Sequence, residues 1–177
     1  MRNILLVVAV VAMSFGAAAG EKNAPAKDAA AKSRATVRKE KTEDALSFIK
    51  EKSPRSYELV TNYLSIIQVG AKSGVQVSNN PPRFQVGEKT ACTMLSWYAS
   101  CIVHDAHHSK LYNDYRRKFN CKVPKEIYSG RKAEDECLYV QEDFYREINV
   151  PETGRYIKHL RNMRKVDYFS DYKNRDW

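Results

Sequence analysis

From residue 42 to about residue 166, apolar side chains recur at intervals of three and four, and short Gly, Pro and Asn clusters interrupt them. That spacing lines one face of an α-helix; a strand would need a period of two. Thr42-Glu43-Asp44 stands before Ala45, Leu46, Phe48 and Ile49 as an N-cap with an acidic first turn. Ser53-Pro54 gives a second start signal, a cap followed by proline at the first helical position. Tyr57, Val60, Leu64 and Ile67 continue that second helix, which Gly70 and Gly74 close. Only Val75-Gln76-Val77 and Phe84-Gln85-Val86 alternate as strands, on either side of an Asn79-Asn80-Pro81-Pro82 turn. Further helices are expected from Thr90 to about Tyr112, from Arg131 to about Ile148, and from Tyr156 to Val166. The expected fold class is therefore α+β, mainly helical with a minor β element.

Composition fits one ordinary globular domain over residues 42–177, with 43% hydrophobic and 29% charged residues in the whole chain. Residues 1–20 read as a secretory signal peptide. Arg2 supplies the positive end, Ile4 to Phe15 the apolar run, and Ala17-Ala18-Ala19 the small residues of a cleavage site. That run is shorter than the ~20 apolar residues of a spanning helix. A mature chain beginning at Gly20 or Glu21, in the periplasm or outside a bacterial-type cell, is the expectation. Loss of Arg2 would lower the formal charge by one from +9. Residues 21–41 carry seven cations against three acids and no large aliphatic residue except Val37. We expect a flexible basic leader there, in weak contact with anionic surfaces at most. The remaining positive charge is diffuse, which argues against a specific nucleic-acid partner.

Three of the four histidines fall within five residues, in Ile102-Val103-His104-Asp105-Ala106-His107-His108. On a helix His104 and His108 share a face, so their imidazoles can converge on one ion. A zinc site of this kind needs a third protein ligand, and the helix opening at Gly130 offers Glu134, with Glu136 as the alternative. His107 lies on a neighbouring face.

The phrase Trp97-Tyr98-Ala99-Ser100-Cys101-Ile102-Val103-His104-Asp105-Ala106-His107-His108 resembles the motif helix of small zincin-like, HExxH-type domains. Ala133-Glu134-Asp135-Glu136-Cys137-Leu138-Tyr139-Val140-Gln141 resembles their second metal helix, the resemblance covering roughly residues 75 to 150. It implies a zincin-like domain with a motif helix and a glutamate helix. His104, His108 and Glu134 would be Zn²⁺ ligands and Asp105 the general base of a metallopeptidase or amidase. The substrate class would be protein or cell-wall peptide. Where that family has Glu, this chain has Asp105, one methylene shorter. Tyr128, Tyr139 and Arg131 are candidates for oxyanion stabilisation.

Two other classes use the same residues. Cys101-Ile102-Val103-His104-Asp105 also resembles the CxxHD segment of secreted phospholipase A2, in which Asp135 would orient the histidine. Those lipid hydrolases have a Gly-rich calcium loop upstream, whereas residues 80–92 hold only Gly87, with Pro81-Pro82 where the loop would lie. The third class is a non-catalytic envelope-binding protein on a zincin-like scaffold.

Four cysteines in an exported chain suggest two disulfides, in any of three pairings. Cys92 and Cys101 on one helix would stand about 13 Å apart, beyond bridging distance, unless that helix starts after Cys92. The zincin resemblance packs the two metal helices side by side and so implies a Cys101–Cys137 bridge worth roughly 2–4 kcal/mol. Cys92–Cys121 would follow by elimination.

Overall fold

The computed structural model describes residues 7–8, 24–70, 73–79 and 82–165, with side chains from residue 36 onward. The expected signal peptide, apart from Val7–Val8, and the aromatic tail after residue 165 lie outside the described residues. No helix among the described residues is long and apolar enough to cross a membrane.

Helix α1 spans Ala24–Lys52. The stretch expected as a basic leader is helical from Ala24. Its Ala, Lys, Arg and Glu content gives it high helix propensity without any need for burial. None of the side chains from Thr36 to Lys41 is buried, and burial begins at Thr42. Thr42 sits inside the helix rather than capping it: its hydroxyl donates to the Arg38 carbonyl at 3.0 Å and accepts from Tyr98 Oη at 2.8 Å. Helix α2 (Pro54–Tyr63) starts where Ser53-Pro54 indicates, with Ser53 Oγ accepting from the Ser56 N–H. The same hydroxyl donates to Glu147 Oε2 at 2.6 Å.

The second helix is shorter than its spacing predicts. Leu64 turns extended, and Ile66–Gly70 forms strand β2. The helical spacing of Leu64 and Ile67 is coincidental: Ile66, Ile67 and Val69 form a largely β-branched run that suits a buried strand. Strand β3 (Gly74–Gln76) and strand β4 (Arg83–Gly87) match the two alternating segments. Strand β1 is the two-residue bridge Val7–Val8, and the sheet order is β1-β2-β4-β3. β2 and β4 are parallel, Ile66 opposite Arg83 and Gly70 opposite Gly87, while β3 runs antiparallel to β4.

The motif helix is split from the expected Thr90 start. A single turn, α3 (Glu88–Ala91), is followed by a break at Cys92-Thr93-Met94, and α4 runs over Leu95–Phe119. Asn120, in the left-handed region at φ 45°, ends it. The short α5 (Lys125–Tyr128) leads to α6 (Arg131–Ile148), whose bounds match the expectation, and α7 (Thr153–Lys165) closes the described chain. Gly130 enters α6 at φ 96°, a conformation open to glycine and strained for other residues. Helix α4 lies at the centre, against α1, α2 and α6. Small Ala99, Ser100, Ala106 and Ser109 are buried on it and let its neighbours approach. Ile49, Val60, Ile67, Phe84, Ile102, Leu138 and Phe144 fill the core around it.

α6 and α7 are joined through one carboxylate. Glu142, buried, accepts from Arg146 at 2.6 Å, from Arg161 Nε and Nη2 at 3.0 and 2.7 Å, and from Arg164 at 2.6 Å. Burial works against ionisation, but the three guanidiniums win and hold this carboxyl down at about 2. A depressed carboxyl stabilises the fold above its unfolded value near 4.5 and loses that contribution as pH falls towards 2. Glu142→Gln should therefore lower stability at neutral pH and flatten its decline between those two values, as read by denaturant unfolding across that range.

Candidate metal centre

Two stripes of side chains face each other where α4 crosses α6. Ser100, His104 and His108 are four apart on α4; Glu134, Cys137 and Gln141 are three and four apart on α6. Each set therefore occupies one helical face. Gln141 meets Ser100 and His104 while Glu134 meets His104 and His108, so the helices run antiparallel.

His104 Nε2 and His108 Nε2 are 3.1 Å apart, and Glu134 Oε2 lies 3.3 and 3.5 Å from them. A tetrahedral ion with bonds of about 2.0–2.1 Å sets its ligand atoms roughly 3.3–3.4 Å apart. The three atoms thus have the spacing of one face of that tetrahedron. Cys137 Sγ and the two imidazoles offer ligand atoms all within 4.8 Å of one another, so a buried His104–His108–Cys137 cluster could hold a metal ion. His104, His108 and Glu134 are each less than a tenth exposed.

The surrounding hydrogen bonds fix both imidazoles. His108 Nδ1 lies 2.9 Å from the Tyr128 carbonyl, which can only accept, so Nδ1 carries a proton. His104 Nδ1 lies 3.2 Å from Gln141 Oε1. The amide orientation follows from its other end, where Gln141 Nε2 donates to Ser100 Oγ at 2.8 Å and Ser100 donates to the Trp97 carbonyl at 2.8 Å. With both Nδ1 atoms protonated, neutral imidazoles would aim two lone pairs at each other and at a carboxylate. Such a cluster requires positive charge in its middle, as a proton or as a metal ion. Despite burial, the nearby Cys137 and Glu134 raise His108 well above its ordinary value, which favours a proton there when no ion is bound. Burial opposes ionisation of Glu134, yet bonds from the two histidines hold its carboxyl far below the usual range. Burial pushes the Cys137 thiol up to about 11 against the pull of His108.

The structure thus brings His104, His108 and Glu134 together. Glu136, half-buried on another face of α6, is not in the cluster, and neither is His107. Burial, then Lys110 and the two neighbouring histidines, push His107 down to about 4, so it is neutral near pH 7. Asp105 is half-buried beside the cluster and pushed up to about 6, chiefly by burial. Tyr128 contributes its carbonyl to His108 rather than its phenol. Tyr139 is exposed, its ring 3.9 Å under the Arg164 guanidinium, and Arg131 is exposed. Gln141 occupies the place beside His104 that the phospholipase-like reading gives to Asp135. Where a calcium loop would lie, β4 passes directly into α3.

All four cysteines are free thiols, which corrects the expected Cys101–Cys137 bridge. Gln141 is level with Ser100, so Cys137 lies about one helical turn, roughly 5 Å, further towards the histidines. Cys101 is also rotated off the facing stripe. Cys92 and Cys121 are exposed. Residue reasoning assigned Cys137 to a bridge and overlooked it as a ligand; its place three residues after Glu134 was the available signal.

Gln141 sets the His104 ring and fills no ligand position. For any divalent ion that the cluster takes up, Gln141→Leu should weaken binding about 10–100-fold while leaving the stoichiometry unchanged, in a competition titration with a chromogenic chelator.

Comparison with known protein families, curated proteins and solved structures finds no match for this chain.

Proposed function

We propose that this is an exported metal-binding protein of zincin-like type, holding one Zn²⁺ through His104, His108, Glu134 and Cys137. The observation that carries this reading is the 3.1–3.5 Å triangle of two imidazole nitrogens and one carboxylate oxygen. Imidazole and thiolate suit zinc, and a carboxylate oxygen completes an accepted donor set. The ion would replace the proton shared within the cluster and cross-link α4 to α6.

Cys137 separates this reading from a hydrolytic one. Catalytic zinc sites keep one position open, whereas four protein donors close the shell. A buried thiol within 4.8 Å of both imidazoles, beside the Glu134 carboxylate that bonds to the same two rings, supports a resident ion that stabilises the scaffold, in line with the non-catalytic alternative to a peptidase. One observation favours the peptidase reading: Asp105 adjoins His104 and has a carboxyl shifted towards neutrality, as a general base would. The zinc-loaded full chain, assayed on protein and cell-wall peptide libraries, decides between them. The resident-ion reading expects no hydrolysis by the wild type or by Asp105→Glu. Hydrolysis that Asp105→Ala lowers by about 10²–10⁴-fold, with zinc retained, would establish the peptidase instead.

A further inference from the structure

Away from the metal centre, α6 and α7 flank an open surface depression of about 490 Å³. Arg146, Lys158, Arg161 and Lys165 line it, with Asn162 beside them and Ile157 as an apolar element; no acidic residue is among its walls. Lys158, Arg161 and Lys165 are three and four apart on α7, while Leu160 and Met163 on its other side are buried in the core. The cations therefore form one designed face of an amphipathic helix rather than a scatter.

Glu142 beneath this face ties down Arg146, Arg161 and Arg164. One buried carboxylate thus orients three guanidiniums and neutralises only one of them. Lys158 and Lys165 do not bond to Glu142, so the four cations lining the hollow stand against one acid, a net +3; Arg164, the third guanidinium on Glu142, is outside the lining and over the Tyr139 ring. Preset guanidiniums bind phosphate oxygens in pairs, and lysines add mobile charge. Gly154 in the first turn of α7 also borders the hollow, which places the positive end of that helix at its edge.

We infer that this hollow is a binding site for a multiply charged phosphate group, borne by a soluble oligophosphate or by an anionic lipid headgroup. A single carboxylate ligand would leave most of the charge unmatched, whereas several phosphate oxygens match it. The site is separate from the metal centre and does not depend on zinc.

The full chain is titrated with inorganic tripolyphosphate by calorimetry. In parallel it is floated with vesicles of phosphatidic acid, whose phosphomonoester headgroup can carry two charges, in phosphatidylcholine and with phosphatidylcholine alone. Saturable binding in either arm is expected, with tripolyphosphate alone marking a soluble ligand and the anionic vesicles alone a headgroup. Lys158→Gln with Lys165→Gln should weaken it about tenfold, since both lysines point into the hollow without supporting Glu142. The control pair Lys122→Gln with Lys125→Gln, exposed residues that remove the same charge elsewhere, should change it by less than about twofold. Absence of saturable binding in both arms, or an equal loss in the control pair, would overturn the site.

Discussion

Replacing either His104 or His108 by alanine is expected to abolish stoichiometric zinc binding. Each imidazole supplies one corner of a triangle whose other atoms stand 3.1–3.5 Å away. His107, on the neighbouring face of α4, cannot substitute without turning the helix. Glu134→Ala should also weaken binding strongly, by more than the roughly 10–100-fold typical of losing a supporting hydrogen bond. Glu136→Ala should leave it unchanged. Elemental analysis of the dialysed variants, with circular dichroism as the check on folding, reads all four outcomes. Full zinc retention in the histidine variants would show that the cluster is not the ligand set.

Removing the ion should lower thermal stability without unfolding the chain. A zinc ion that binds only the folded state stabilises it by roughly 4 kcal/mol when free zinc is at about a thousand times the Kd. For a chain of this size that corresponds to a midpoint about 8–16 °C higher than in excess chelator. The metal-free protein should remain folded. Glu134 lies 3.3 and 3.5 Å from the two imidazoles and favours a proton on His108, and the apolar core around Ile102, Leu138 and Phe144 is formed without any metal ligand. Equal midpoints with zinc and with chelator would indicate that the cluster is an ion pair and nothing more.

The elements bearing the site were legible in the chain because their signals are local. Ser53-Pro54 fixed the start of α2, Gly130 and Asn149 bounded α6, and the four-residue spacing of His104 and His108 placed both rings on one face. Three features escaped for different physical reasons. Ile66–Gly70 followed two helical positions by chance, and only pairing with β4, distant in sequence, makes it a strand. The Ala- and Lys-rich segment after Ala24 is helical through backbone propensity, which burial arguments do not detect. Cys137 and Gln141 gain their roles from the antiparallel register of α6 against α4. That register is a tertiary fact, although the spacing of Glu134, Cys137 and Gln141 already marked a polar stripe on an otherwise apolar face.

Cobalt(II) titration of the metal-free full chain, followed by absorption, tests the central claim most directly. Four protein donors including a thiolate predict saturation at a single equivalent, with a thiolate-to-metal charge-transfer band that Cys137→Ser removes. Failure of cobalt to bind saturably, or saturation with no such band in the wild type, would contradict a His104–His108–Glu134–Cys137 centre.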